Sequence, residues 1–341
     1  MSTLPLLHAT WHCDARIMHN SDITIREYAP GDEYGIVNLF NSSDSRFVRN
    51  VNFWKWSNCN NYTNGFISVV AELKDGSIIG HYSIVDREII YMDKVRTIGF
   101  GQQAVTHYQY RGLDNILNIC QQIYSLAASR YDYLYAFPNN NMFPIKKRLL
   151  NWTDLGEFNA NVIDIEKIPS GVKQTNETRQ IYALPKEMDG ILSYPSDQIC
   201  LKNNSEFLNY RFVNNPINQY TIFGAFDEAQ GLVGYIIAKL YYDKNLNKML
   251  GHLIDYEATQ NVELVLNDLL NESKRFFEFY GVDQIVFWNR KNLYKQYFDQ
   301  YINKEKKGFM TNFGLLELNP SIPSISNINQ WSFSMAHSDA F

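Results

Sequence analysis

The stretch Gln109-Tyr110-Arg111-Gly112-Leu113-Asp114 sits after an apolar run that ends at Thr106. Behind it, Ile116, Leu117, Ile119, Cys120, Ile123, Leu126 and Ala127 recur at helical spacing. Strand, glycine-bearing turn and amphipathic helix in that order put a helix N-terminus at the turn. The first N–H groups of a helix have no partner within it, and the positive dipole end lies there, so the turn suits a phosphate. A plain strand-to-helix corner carries the same single glycine, so the motif alone has low specificity. Just upstream, Gln102 and Gln103 are polar within an apolar strand. Amides accept no proton usefully, but they can orient an amine or a water. His107 has the side chain whose ordinary pKa suits a general base, provided that it reaches the proton to be removed.

Further candidates lie elsewhere in the chain. Asn139 and Asn141, in Pro138-Asn139-Asn140-Asn141, can hold a ligand arm by amide hydrogen bonds or cap the next helix. Trp54 and Trp56 are two residues apart, so on a helix they face different ways; one suits the core and the other could stack on a ring. Arg211 could pair with a substrate phosphate or form a surface ion pair. In Gly251-His252-Leu253-Ile254-Asp255, period two puts His252 and Asp255 on opposite faces. Asp255 could bind a sugar hydroxyl or an ammonium, or be a satisfied structural carboxylate.

These residues need a frame. Ile23–Tyr28 alternates as a strand, and Pro30-Gly31-Asp32 opens a helix over about 33–41, with another over about 46–57. Phe66–Leu73 and Ser77–Asp86 flank Lys74-Asp75-Gly76 as a hairpin. Strand 98–106, a helix over about 112–129 and the buried strand Asp132–Phe137 follow, then a short helix around 142–150 and one strand near 152–165. Residues 166–200, with Pro169, Gly171, Pro185 and Pro195, read as a linker. The remainder repeats the outline: hairpin 220–242, strand 249–258, helix 262–280 and strand 281–288. The second strand-to-helix turn, Glu257-Ala258-Thr259-Gln260-Asn261-Val262, has neither glycine nor arginine. If this turn holds phosphates, only the first half does so.

Composition narrows the function. The 341 residues suit two domains. A net charge of -5 gives no basic field for nucleic acid or an anionic membrane surface. The 4 cysteines are scattered without a CxxC pair, which argues against a zinc cluster or a disulfide framework and for a reducing cytoplasm. No apolar run approaches the ~20 residues of a membrane span, and Met1–Trp11 does not read as a signal peptide.

On these residues the first half resembles the GNAT superfamily of acyl-CoA N-acyltransferases. Ile23-Thr24-Ile25-Arg26 with Pro30-Gly31-Asp32 resembles the family's opening strand and helix entry, and Lys74-Asp75-Gly76-Ser77-Ile78-Ile79-Gly80 its central hairpin. His107 to Asp114 is similar to the signature Gln/Arg-x-x-Gly-x-Gly/Ala, and Ala136-Phe137-Pro138-Asn139 resembles the end of the fifth strand. The likeness spans roughly 23–165, and the second half resembles a degenerate copy. The expected fold is mixed α/β, with a mostly antiparallel sheet and helices on both faces, in two tandem GNAT-like domains: 1–165 for acyl-CoA, linker 166–200, and 201–341 shaping the acceptor site.

The resemblance implies coenzyme A as the acyl carrier and no metal. Its pyrophosphate would meet the backbone of Gln109, Tyr110, Arg111, Gly112, Leu113, Asp114 and Asn115, and its arm Asn139 and Asn141. Asp114 departs from the family's Gly or Ala. Backbone at Gln103, Ala104 and Val105 would face the acyl arm and the carbonyl. The family often has a Tyr after the fifth strand to protonate the leaving thiolate, and Asn139-Asn140-Asn141-Met142-Phe143 has none. Gln103 and His107 are the catalytic candidates; Trp54, Trp56, Gln102, Arg211 and Asp255 are the acceptor-side candidates. Phe53-Trp54-Lys55-Trp56, Phe137-Pro138-Asn139 and Trp331…His337-Ser338-Asp339 also resemble bacterial N-acyltransferases of amino-sugar nucleotides that build surface polysaccharide. The expected acceptor is a small amine, a dTDP- or UDP-linked amino sugar, with no nucleic-acid or membrane partner and a monomeric or homodimeric protein. An aminoacyl or peptidyl transferase and a non-catalytic acyl-CoA-binding module are the alternatives.

Overall fold

The computed structural model describes residues 22–339 apart from 44–47, 60, 61, 64, 170–173, 191, 193, 245, 290, 291 and 322. Residues 1–21, Cys13 among them, lie outside it, as does the start of the helix expected from about 46.

In chain order the elements are β1 (Ile23–Glu27), α1 (Asp32–Ser43), α2 (Val51–Ser57), β2 (Phe66–Leu73), β3 (Ile78–Tyr91), β4 (Lys94–Thr106), α3 (Leu113–Ala127), β5 (Tyr133–Ala136), α4 (Met142–Leu149), β6 (Thr153–Asn159), β7 (Asn161–Asp164) and β8 (Glu177–Ile181). Next come β9 (Ile199–Leu201), α5 (Ser205–Leu208), β10 (Thr221–Phe226), β11 (Leu232–Asp243), β12 (Lys248–Ala258), α6 (Val262–Phe279), β13 (Gln284–Phe287), α7 (Asn292–Asp299), β14 (Met310–Glu317) and β15 (Trp331–Ser332). The architecture is mixed α/β, with mostly antiparallel pairing, as expected. The order hairpin, strand, helix, parallel strand occurs twice, as β2-β3-β4-α3-β5 and β10-β11-β12-α6-β13.

The first sheet runs β1-β2-β3-β4-β5-β14-β6 and the second β7-β13-β12-β11-β10-β8. Each half therefore lends a strand to the other. β14, late in the chain, lies antiparallel between β5 and β6, while β7 leaves β6 through Ala160 and pairs with β13. The single strand read near 152–165 is thus two strands in two sheets. The far end of β7 is pinned at Asp164, which accepts hydrogen bonds from Gln284, Asn303 and Lys306 at 3.0, 2.6 and 2.7 Å. The stretch read as a linker also contributes strands. β8 edges the second sheet, and β9 pairs with β3 and β15. Its prolines and glycine conceal strands this short, which edge pairing stabilises.

A continuous aromatic core joins the halves. Phe137 from the first packs on Trp288 from the second at 5.0 Å, and Phe313 on the exchanged β14 stacks on Phe137 at the same distance. Helix α3 covers the opposite face of the first sheet with Ile119, Cys120, Ile123 and Ala127.

Candidate active site

β4 and β5 pair in parallel only at Gly99–Leu134 and Phe100–Tyr135. β4 then runs on to Thr106 while β5 ends at Ala136, so the sheet splays open. In the splay β4 carries a bulge, where the register to β3 shifts between His81 and Ser83. Gln103 adopts φ 58° there, a left-handed conformation that costs energy for a non-glycine residue. Its environment holds it. The Gln103 carbonyl accepts from His81 Nδ1 at 2.9 Å, and Ser68 Oγ lies 3.1 Å from His81 Nε2. Burial pushes the His81 pKa down to about 4, so the ring is neutral, with Nδ1 as the donor. The Gln103 side chain bonds Ser57 Oγ at 2.9 Å and Asn58 at 3.3 Å, and Gln102 Nε2 donates to the Ser57 carbonyl at 3.0 Å. Both amides therefore anchor the C-terminal end of α2 to the bulge. Ala104, by contrast, is exposed, and among the described residues no side chain bonds the backbone of Ala104 or Val105.

After β4, His107 closes a short 3-10 turn over Tyr108–Tyr110, with Nδ1 accepting from Gln109 N–H at 3.4 Å. His107 is thus a turn cap. Gly112 is the N-cap of α3 and supplies no side-chain bond to it. A Cβ placed on Gly112 would meet nothing within 4 Å, so open space lies over the helix N-terminus. Arg111, Leu113 and Asp114 are exposed around it, and Asn115 Nδ2 is held by the Tyr110 carbonyl at 2.9 Å. Asn139 uses its carbonyl oxygen to cap α4, accepting from Asn141 and Met142 N–H at 3.1 and 2.9 Å. The Asn141 side chain is exposed.

The second half has the same splay, closed. β12 pairs with β13 only from Gly251 to Leu253 and is bulged between Leu253 and Asp255. There α7 fills the gap: the Tyr294 hydroxyl lies 3.3 Å from the Ala258 N–H and 3.0 Å from its carbonyl and also bonds Glu257. Tyr256 donates to the Trp288 carbonyl at 3.3 Å. Asp255 is fully buried there and accepts from Asn203 Nδ2 and Tyr235 Oη at 2.9 and 2.7 Å, with His337 Nε2 on Asn203 at 2.6 Å. Its geometry is that of a structural carboxylate.

Neither tryptophan projects into solvent. Trp54 is buried against Tyr28, while Trp56 stacks on Tyr210 at 5.0 Å and faces the junction of the halves. Arg211 also lies there, buried, bonded to the Ser338 carbonyl.

Three buried groups near the splay escaped the sequence reading. Arg87 on β3 is buried among Tyr62, Phe100 and Phe207. The Tyr135 hydroxyl is fully buried without a hydrogen-bond partner among the described residues. Lys146 on α4 is buried, 2.7 Å from Tyr82 Oη, 3.3 Å from Tyr124 Oη and 3.6 Å from the centre of the Trp152 ring. Burial brings its pKa down to about 7. Among the described residues no group of His, Cys, Asp and Glu could hold a metal ion, and no helix is long and apolar enough to cross a membrane.

No protein-family model matches the chain, and no curated protein matches it. Solved structures do. A probable N-acyltransferase from Enterococcus faecalis has a TM-score of 0.66 at 10% identity, covering 87% of this chain and 73% of that one. A GCN5-related N-acetyltransferase from Anabaena variabilis has a TM-score of 0.65 at 9% identity, with the same coverages. The Saccharomyces cerevisiae N-myristoyltransferase, with myristoyl-CoA bound, has a TM-score of 0.56 at 10% identity, over 89% and 81%. The fold of this chain is the GNAT fold, shared over nearly its whole length.

Proposed function

We propose that the protein is an N-acyltransferase that moves an acyl group from acyl-CoA to the amine of a small acceptor, a nucleotide-linked amino-deoxysugar. The observation that carries the reading is the asymmetry of the two splays. The first is open beside a helix N-terminus with no side-chain cap. The second is filled by Tyr294.

In this reading the N–H groups of α3, from Leu113 to Asn115, and the turn at Gln109–Gly112 take the coenzyme A pyrophosphate, and Arg111 supplies charge. Asp114 lies in the first turn of the helix, where its carboxylate competes for the same dipole. The acyl arm enters the splay along Ala104 and Val105, between β4 and the Asn139–Asn141 end of β5. The amine nitrogen attacks the thioester carbonyl, the C–N bond forms, the C–S bond breaks, the thiolate takes up a proton and the nitrogen loses one. Backbone N–H groups at the bulge suit the developing oxyanion. Gln103 and Gln102 contribute by fixing that backbone, and His107 by shaping the turn. Trp56 and Arg211 stand on the acceptor side. The sugar-nucleotide acceptor rests on the sequence resemblance and on these two residues.

The test is a thiol-release assay crossing acyl-CoAs with nucleotide-linked 3-amino and 4-amino deoxysugars. Turnover is expected for at least one pair, and silence across the panel would sink the sugar acceptor. Replacing Arg111 with Ala and Gly112 with Trp together should abolish coenzyme A binding, because the indole would fill the open space over the helix end. Undiminished binding in that variant refutes the turn assignment.

A further inference from the structure

The end of the β3–β4 hairpin carries one face of the first sheet beyond the aromatic core. There Ile89 pairs with Arg96 and Tyr91 with Lys94. Directly opposed residues share a face, and so do residues two apart on one strand, so all four side chains stand on one side. It is the side away from α3, because Ile89 is fully buried in the core that joins the halves. Tyr133 at the start of β5, and Pro323 and Ile325 between β14 and β15, face these four across a cavity of about 70 Å³. Met92 completes the lining, and the mouth opens beside the exposed Met92 and Lys94.

The walls are fixed and largely apolar. Tyr133 Oη donates to the Pro323 carbonyl at 2.5 Å, and Trp331 Nε1 to the Ile325 carbonyl at 2.8 Å. Ile89 and Ile325 are buried. The turn is held too, with Met92 N–H donating to the Ser196 carbonyl at 3.3 Å. Met92 and Asp93 adopt φ 51° and 59°, the left-handed pair that a two-residue hairpin turn demands and that Asn and Gly fill best. An exposed methionine is a poor choice for such a turn on stability alone, but its thioether adapts over an apolar guest.

The mouth is cationic. Among the described residues neither Lys94 nor Arg96 has a carboxylate within ion-pair distance. The half-buried Arg96 is close enough to Tyr133 to oppose the rise in pKa that burial imposes on it, whereas Glu317, Asp132 and Tyr91 add to that rise. Both acids are engaged by neutral donors: Ser324 Oγ bonds Glu317 at 2.5 Å, and Asn319 Nδ2 bonds Asp132 at 3.0 Å. Asp93 is exposed on the turn. An apolar cavity favours a hydrocarbon over water, which needs several polar partners. An engineered apolar cavity of ~150 Å³ takes a benzene ring, so about half that volume takes a tail of about three carbons. A guanidinium fork with an ammonium beside it suits a carboxylate.

We propose that this cavity binds a short, branched aliphatic carboxylate, its alkyl tail between Ile89 and Ile325 and its carboxylate on Arg96 and Lys94. The site is independent of the acyltransferase reading: Lys94 begins β4, and the splay lies toward the other end of that strand.

The probe is sodium isovalerate, titrated at constant ionic strength into the full chain labelled with methyl-13C methionine. The readout is the Met92 methyl resonance, assigned with Met92→Leu. A saturable shift is expected in the wild type. Acetate has the charge without the tail and 3-methylbutan-1-ol the tail without the charge, so each should bind at least tenfold more weakly. Arg96→Met should weaken isovalerate binding about tenfold, the loss of one charge-assisted interaction, and Ile325→Phe should abolish it by filling the cavity. Circular dichroism checks the fold of each variant. If Ile325→Phe does not fold, Arg96→Met at the rim and the two truncated probes decide the matter. Gly112→Trp should bind isovalerate as the wild type does; loss there would put the carboxylate at the α3 end and overturn the site. No saturable shift in the wild type, equal binding of acetate or of the alcohol, or unchanged affinity in Arg96→Met would also overturn it.

Discussion

Replacing Lys146 with Met tests the electrostatics of the first core directly. The side chain is buried between α3 and β3, with two hydroxyls and a tryptophan face around its nitrogen. Among the described residues no acid pairs with it. Burial lowers its pKa from 10.5 to about 7. Between those values the unfolded chain holds a proton that the folded chain does not. Unfolding therefore takes up a proton, and wild-type stability rises with pH through this window. Above it both states are neutral, and below it both are charged. Each pH step within the window is worth ~1.4 kcal/mol, so the wild type should gain ~3 kcal/mol from about pH 7.5 to about pH 9.5 from this one group. Met fills similar volume without titrating. It removes the lysine from the Tyr82 and Tyr124 hydroxyls, although Tyr124 keeps Trp152 Nε1 at 3.0 Å, and the cost of ~1–3 kcal/mol is constant with pH. The absolute stability of the variant is therefore a poor readout, and the difference between the two pH curves is a good one. Urea unfolding at a series of pH values gives both curves. The variant should lose ground to the wild type as pH rises, by ~3 kcal/mol over that interval. Parallel curves would show that Lys146 titrates as an ordinary lysine, and the burial argument would be wrong.

His81 should stay neutral down to about pH 4. Because the unfolded chain protonates its imidazole near pH ~6.5, stability should fall as pH drops from there to about 4; an imidazole proton resonance with an ordinary midpoint would overturn this. At Gly101 an added Cβ would lie 2.5 Å from Tyr82 Oη, and that hydroxyl is held by Lys146. Gly101→Ala should therefore cost ~1–3 kcal/mol, and Tyr82→Phe in the same chain should recover part of it, read as a double-mutant cycle. A chain ending before Met310 loses β14 and leaves β5 and β6 without the strand between them. The first half expressed alone should fail to give a cooperative thermal transition, and a sharp one would show that it does not need β14.

What the sequence made legible follows its local signals. The Asp75-Gly76 turn, the apolar stripe of α3 and the repeated element order are short-range patterns, and each appears in the structure. The strand exchange is a long-range choice. Thr153 to Asp164 reads as one extended run, and nothing local tells β6 from β7 at Ala160. Lys146 sits in Lys146-Lys147-Arg148, which reads as a solvated face. Lys147 does reach outward, to Asp154, while Lys146 turns inward to Tyr82. Arg87 stands in Asp86-Arg87-Glu88, which looks like a charged strand end, yet β3 continues to Tyr91 and Arg87 points into the core. Charge runs conceal buried members because the pattern records type, and burial depends on which neighbour the strand or helix meets.

Gln102 and Gln103 make structural contacts that their residue types alone do not reveal. Two amides in an apolar strand invite a role in orienting substrate. Here the bulge turns both toward α2, where Ser57 and Asn58 take them. Their consequence for the splay is indirect: they hold β4 in the left-handed kink at Gln103, and the kink is what leaves Ala104 facing open space. The second half makes a bulge at the equivalent place, around Ile254, without such amides and with Tyr294 across the gap. A bulge alone is therefore not a site. The proposed site needs in addition a strand left uncovered beyond the bulge and an open helix end beside it, and among the described residues β4 and α3 supply both.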